Sequence, residues 1–388
     1  MRGETDFLSR VFIDEANEYF QLPESVMQAF YEEIDRINAD SELQQLAREM
    51  HGLLYGAEGN KEEAIGRLQR MGTEAGMFAA VVYASGLPAV KELYASKGMP
   101  MHVLKETLSD MGIWMQHHEQ KYGSWGLSEL GWLNRHFSGG IYKLGRLQFM
   151  PRTYRVKANV FRSRSGGRLI ALSDEGVLFR ADGQADGTNG VYDPAGSWAS
   201  VYENDGLTIR GYRLSPYGYA IREPIELDAR EWEQVLKEGD PVLDVHIPEG
   251  AKMTHELCRD SYRQAAAFFA EFLPEHAAKA FTCTSWLLSP QLRLLLPDSS
   301  NIVKFQSDYY CTPVVSDEKQ TFERVFGAIP EDFSQAPRDS ALRRAVLDHV
   351  MAGHAIHGGS GFIMLESAED GRYADRADAV GKAHGAGL

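Results

Sequence analysis

The chain has 388 residues, 44% hydrophobic and 24% charged, a globular balance with length enough for two domains. Its formal charge of −15, from 55 acidic against 40 basic residues, disfavours a nucleic-acid backbone or an anionic membrane as partner. The three cysteines, Cys258, Cys283 and Cys311, show no C-x-x-C spacing, which argues against a disulfide framework and a cysteine-built zinc site.

At the N-terminus, MRGETDFLSRVFIDEANEYF carries acidic side chains where a signal peptide needs an apolar core. The most apolar stretch, Met77 to Val90, is broken by Ser85, Gly86 and Pro88 and is too short to span a bilayer. The expected compartment is the reduced cytoplasm. From Pro23 to about Phe137 the pattern is helical. PESVMQAFYEEIDRINAD opens at Pro23, SELQQLAREMHGLL has Ser41 as its N-cap, and NKEEAIGRLQRM starts at Asn60 before two glutamates. In MHVLKETLSDMGIWMQHHEQKYG the apolar residues Leu104, Leu108, Met111 and Met115 recur at helical steps and predict one buried stripe.

After Gly139-Gly140 the period changes. IYKLGRLQF, RLIALS, GVLF, TIRGYRL and YAIREPIEL are short, β-branched or aromatic, and separated by turn clusters such as SDEG and SPYG. They predict antiparallel strands. From Asp228 the pattern predicts a helix (DAREWEQVLKEG), a strand (PVLDVHI), a helix (THELCRDSYRQAAAFFAEF) and a strand (AFTCTSWLL). Helices follow over SDEKQTFERVFGAI and DSALRRAVLDHVMAG, then a late strand, GFIML. The expected fold is α+β: a helical N-terminal domain over 1–138, a mixed and mostly antiparallel sheet flanked by helices over 139–366, and a frayed tail over 367–388.

The segment GDPVLDVHIPEGAKMTHELC is the richest in chemistry. Alternation along a strand puts Asp244 and His246 on one face, about 6.8 Å apart between Cα atoms, and Leu243 and Val245 on the other. The strand ends at Pro248-Glu249-Gly250, Lys252 lies in the turn, and Thr254 is the N-cap of the next helix. A strand, a turn and a helix N-terminus leave free N–H groups that can cradle a pyrophosphate. Arg259 and Arg263, at i and i+4, share one polar helix face toward further phosphates. Plainer readings stand beside these: Thr254 as a simple cap, and the arginines as surface partners of Glu256 and Asp260.

GIYKLGRLQF (140–149), GDPVLDVHIPEG (239–250), CTSWLLSPQLRLLLPDSSNIVKFQ (283–306) and PRDSALRRAV (337–346) carry a resemblance. The chain resembles a bacterial family of acyltransferases with a GNAT-like domain behind a helical N-terminal domain, over about residues 20 to 365. The resemblance implies an acyl-CoA co-substrate lying across splayed strands 242–247 and 280–287, its phosphates at the start of helix 254–272. It implies His246 or Glu249 as the base, with Asp244 orienting the imidazole, and donor contacts from Gly250, Lys252, Thr254, Arg259 and Arg263. The usual pyrophosphate loop of such proteins has a basic or glutamine residue and two glycines, whereas here one glycine, Gly250, stands beside acidic Glu249. The tyrosine acid often found after the second strand is missing from 289–303, and Tyr309 and Tyr310 are the first available. The implied function is transfer of an acyl group from acyl-CoA to an amine. The alternative is a non-catalytic protein of the same shape that binds a metabolite or presents a surface.

No metal and no tightly bound cofactor are expected. DGQADGTNGVYD has EF-hand-like spacing but links strands, and its last ligand is Asp193 rather than glutamate. Cys283 reads as a small core residue more than a nucleophile. His117 and His118, as neighbours on a helix, face apart, and His349, His354 and His357 sit where a helix ends.

Overall fold

The computed structural model describes residues 6–370, which divide into two compact units. The N-terminal unit comprises the chain up to Met150 together with Ile247–Ala251; the C-terminal unit comprises the remainder. Of the tail expected to fray over 367–388, residues 367–370 complete a short helix, Leu365–Asp370, and residues 371–388 lie outside the described residues.

The N-terminal unit holds α1 (Arg10–Phe20), α2 (Glu24–Asn38), α3 (Ser41–Tyr55), α4 (Lys61–Arg70), α5 (Gly76–Ala84), α6 (Leu87–Ser96), α7 (Met101–Leu108), α8 (Asp110–Tyr122) and α9 (Leu130–Phe137). A hairpin follows, β1 (Tyr142–Leu144) and β2 (Leu147–Thr153), turning at Gly145-Arg146. The helix starts follow their caps. Asn60 accepts the Glu63 amide at α4 as expected, whereas at α3 the cap is Asp40, one residue before Ser41, because its carboxylate takes the amides of Glu42 and Leu43. The apolar segment of α5 is a central helix buried on nearly every side, packed against α2, α3 and α9. No helix among the described residues is long and apolar enough to cross a membrane. The stripe Leu104, Leu108, Met111 and Met115 is buried throughout, although the chain breaks it at Ser109 between α7 and α8.

One polar knot lies inside this apolar unit. Asp110, 2% exposed, accepts from the indole N–H groups of Trp114 (2.9 Å) and Trp132 (3.2 Å) and faces the Nε2 of buried His136 at 3.0 Å. Burial raises the Asp110 pKa, but the hydrogen bond and charge of His136 and the two indoles outweigh it, and the carboxyl ends below its ordinary value.

The C-terminal unit contains β3 (Ala158–Ser163), β4 (Leu169–Ser173), β5 (Leu178–Phe179), β6 (Trp198–Ala199), β7 (Tyr202–Asn204), β8 (Thr208–Ser215), β9 (Tyr219–Asp228) and β10 (Trp232–Leu236). They make an antiparallel sheet in the order β10-β3-β4-β8-β7, with β9 on β8, and the small pair β5-β6. Then come β11 (Pro241–His246), α10 (His255–Phe272), β12 (Ala280–Ser285), α11 (Pro290–Leu295), α12 (Asn301–Asp308), β13 (Tyr310–Thr312), α13 (Lys319–Phe326), α14 (Ala341–Met351), β14 (Gly359–Met364) and α15 (Leu365–Asp370). A second sheet runs β11-β12-β14-β13, parallel only between β11 and β12. The fold is thus α+β, helical first and then mixed and mostly antiparallel.

The helix expected over DAREWEQVLKEG is instead strand β10, paired with β3. Its apolar residues Trp232, Val235 and Leu236 fit helical spacing, yet a bulge between Gln234 and Leu236 switches the face of the strand, so that Trp232 is buried in one core cluster with Phe161 and Leu236 in another with Val160.

Replacing Asp110 by alanine would strand an imidazole and two indole donors in the core. We expect a loss of about 3–5 kcal/mol in urea unfolding at pH 7. Because the folded pKa is depressed, the contribution of Asp110 is full above the unfolded value near 3.9 and fades as pH falls through the folded one. The gap between wild type and Asp110→Ala should therefore narrow below about pH 4.

Candidate active site

The parallel pair β11 and β12 is short. Its register covers Val242↔Ala280, Leu243↔Phe281 and Asp244↔Thr282, and stops there. Beyond it, β11 continues to His246 without β12, while β12 keeps its antiparallel partner β14 as far as Ser285↔Gly359. The two strands part after Asp244 and Thr282, leaving a wedge at the C-terminal end of a parallel pair. Asp244 and His246 are both half-buried and Val245 between them is buried, as alternation requires. The hydroxyl of Thr282 donates to the Asp244 carboxylate at 3.5 Å, at the last paired position.

Helix α10 follows. Thr254 caps it, its hydroxyl accepting the Leu257 amide at 3.3 Å. The buried face of α10, with Cys258, Tyr262, Ala265 and Phe269, lies against the second sheet, where the Tyr262 and Phe281 rings are 5.3 Å apart. The first turn is tied from the side by Asp308, a wholly buried carboxylate at the end of α12. Arg259 reaches it through Nη2 at 2.7 Å and Nε at 3.2 Å, and His255 Nε2 stands 2.8 Å from its other oxygen. Arg259, expected on the polar face with Arg263, thus has its guanidinium on a buried acid. Arg263 remains on the surface, 3.1 Å from Asp260.

Ile247–Ala251, which follow β11, belong with the N-terminal unit. There Arg146, at the tip of the β1–β2 hairpin, donates from Nη1 to the Pro248 carbonyl (2.8 Å) and from Nε to the Ala251 carbonyl (2.7 Å). The Glu249 carboxylate is bonded to Nε2 of His117, and Gly250 has φ +126, open to glycine and strained for other residues.

Tyr309 caps the end of α12, fully buried, and its hydroxyl lies 2.9 Å from that of Tyr262. Burial holds both phenols well above their ordinary range. Tyr310 is likewise buried and donates to the Leu214 carbonyl at 2.6 Å. Cys283 is buried, and burial, with the Asp244 charge adding to it, pushes its thiol well up.

The other motifs are used locally. In the loop after β5, Asp182 takes the Gln184 amide and a bond from Arg180, Asp186 takes the Asp193 amide, and Asp193 takes the Gly196 amide. No group of three or more His, Cys, Asp or Glu able to hold a metal occurs among the described residues. His118 is buried with Nδ1 on the Ser124 carbonyl, and His349 stacks on His354. His357 sits between Gln291 and the Gly358 carbonyl, and burial lowers its pKa. Sequence reasoning missed Arg146 and Asp308. Arg146 stands in a Gly-Arg turn that marks a hairpin tip, but nothing local in FQSDYY marks Asp308 as a buried acid.

Two predictions follow from burial alone. A thiol reagent should find no reactive cysteine in the native protein and three after denaturation, read by absorbance. Arg259→Ala should cost about 3–5 kcal/mol in denaturant unfolding because it takes the guanidinium from the buried Asp308 carboxylate and leaves it with His255, whereas Arg263→Ala should stay within about 0.5 kcal/mol of wild type.

Compared with known families, residues 11–139 match the N-acyltransferase N-terminal domain and residues 141–363 match the GNAT-like C-terminal domain. A search of curated proteins finds no match. Among solved structures, the chain is similar to an acyltransferase in complex with decanoyl-CoA and teicoplanin, with 21% identity, TM-score 0.59, and 91% of this chain and 87% of that one covered. It is also similar to an acyltransferase mutant in complex with octanoyl-CoA, with 21% identity, TM-score 0.59, and coverage of 92% and 88%. A third, an acyltransferase in complex with decanoyl-CoA, gives 23% identity, TM-score 0.58, and coverage of 92% and 88%. These likenesses concern the fold. Matched from residue 11 to residue 363, the chain belongs to the family that joins an N-acyltransferase N-terminal domain to a GNAT-like C-terminal domain.

Proposed function

We propose that this protein is an acyl-CoA-dependent N-acyltransferase acting on a small-molecule amine. The observation that carries the reading is the parting of β11 from β12 just before a capped helix N-terminus. Strands that separate free their backbone groups for a ligand, and the N–H groups of a helix's first turn suit a pyrophosphate. The acyl-CoA complexes of the similar structures support the choice of donor. The three cysteines are buried and joined in no disulfide, which suits a reducing compartment, and we place the protein in the cytoplasm.

In the proposed reaction the amine nitrogen attacks the thioester carbonyl carbon, the C–S bond breaks, and coenzyme A leaves as a thiolate that takes up a proton. His246 removes the proton from the ammonium, with Asp244 orienting the imidazole, and Glu249 is the second candidate for the base. The amide N–H near Val245 serves the thioester oxygen. Backbone N–H groups from Gly250 to the residues after Thr254 hold the pyrophosphate, with Lys252 and Arg263 as the cations nearest in sequence. Arg259 contributes by anchoring the helix, since its guanidinium meets Asp308. For the acid that reprotonates the thiolate, Tyr309 is the nearest tyrosine in sequence after β12, and its hydroxyl is already shared with Tyr262.

Coenzyme A at about a hundredfold excess over its Kd should stabilise the protein by about 2.7 kcal/mol, seen as a rise in melting temperature. No shift with coenzyme A or acetyl-CoA would count against the donor. His246→Ala should lower the acyl-transfer rate about 10²–10⁴-fold with donor affinity unchanged. Equal loss of rate and affinity would assign His246 a structural role.

A further inference from the structure

The loop in question departs from the usual pyrophosphate loop in having one glycine and an acidic neighbour, and the structure shows how each departure is met. The first concerns the direction of the peptide planes. No peptide bond among the described residues is cis, so each C=O and the N–H of the same peptide point in opposite directions. Arg146 draws two carbonyls of the loop, those of Pro248 and Ala251, onto one guanidinium. The N–H groups of the same two peptides, belonging to Glu249 and Lys252, therefore point away from Arg146.

Gly250 lies between these two fastened peptides at φ +126, and a Cβ built there meets nothing within 4 Å. The glycine is needed for conformation and not for space, because the loop must reverse between two fixed carbonyls. The second departure is the charge of Glu249. Its carboxylate is taken by His117 on α8, and so is held by a partner of its own. An exposed pair of this kind adds little stability, so its consequence lies in where the charge sits. Arg146 itself occupies a two-residue hairpin turn after Gly145 (φ +67), which fixes where its side chain starts.

We infer that Arg146 is a positioning residue for the acyl donor: it turns the loop's amide N–H groups outward as a nest for the pyrophosphate, doing from another strand what a second glycine does within the loop. The inference rests on the proposed donor. Backbone N–H groups presented together on one side of a loop make an anion-binding concavity, and a guanidinium can hold two carbonyls at once where an ammonium is a point donor.

Calorimetry with coenzyme A and with pantetheine, which lacks the pyrophosphate, tests it on wild type and Arg146→Met. The Kd for coenzyme A should rise about 10- to 100-fold in the variant, reflecting the loss of charge-assisted hydrogen bonds from the amides of Glu249 and Lys252 to the pyrophosphate. The Kd for pantetheine, measured by competition, and the melting temperature should stay as in wild type. Should Arg146→Met fail to fold, Arg146→Lys keeps the charge but cannot span both carbonyls, and the same selective loss is expected. Unchanged coenzyme A affinity in the variant, or an equal loss for both probes, would overturn the positioning role. Absence of coenzyme A binding by wild type would instead remove the donor reading, and the inference with it.

Discussion

The C-terminal unit is organised around a parallel strand pair that ends early. β11 and β12 share only three residue pairs, and β12 is then held straight by six antiparallel pairs with β14. With β12 fixed on that side, β11 is the strand that leaves, and the wedge opens at Val245 and His246. A parallel pair needs a crossover, and here the crossover is α10, whose apolar face packs on the sheet through Tyr262 and Phe281. The start of the helix is thereby brought to the end of the strand at which the wedge opens. The start of α10 and the parted ends of β11 and β12 come together as a consequence of topology, before any particular side chain is considered.

A buried carboxylate holds each unit together from within. In the C-terminal unit Asp308 fastens the first turn of α10 through His255 and Arg259. In the N-terminal unit Asp110 gathers His136, Trp114 and Trp132 from two helices. Each acid is fully supplied with donors, which is the condition under which a buried charge is tolerated in an apolar core. The division of labour also explains why Arg259 and Arg263, four residues apart on one helix, differ: one faces a buried acid and the other faces solvent.

Much of the fold was legible in the sequence because it rests on local signals. The caps at Asn60 and Thr254, the stripe from Leu104 to Met115, and the change of period after Gly140 each depend on neighbours within a few residues. The alternation of Asp244, Val245 and His246 was readable for the same reason. β10 was not, since Trp232, Val235 and Leu236 stand at helical spacing in the sequence, and only the bulged pairing with β3 makes a strand of them. Arg146 and Asp308 were hidden for a different reason: their partners are 102 and 49 residues away, and no spacing encodes such contacts. The loop glycine shows both sides of this. Gly250 is visible as a turn residue, but the carbonyl clamp that makes one glycine sufficient is not.

Amide hydrogen exchange with and without coenzyme A tests the central claim most directly, since the claim concerns backbone N–H groups. The account predicts that coenzyme A slows exchange in peptides covering residues 243–258, with a smaller effect at 280–286 across the wedge. Slowed exchange confined to other parts of the chain, with 243–258 unchanged at saturating coenzyme A, would contradict it.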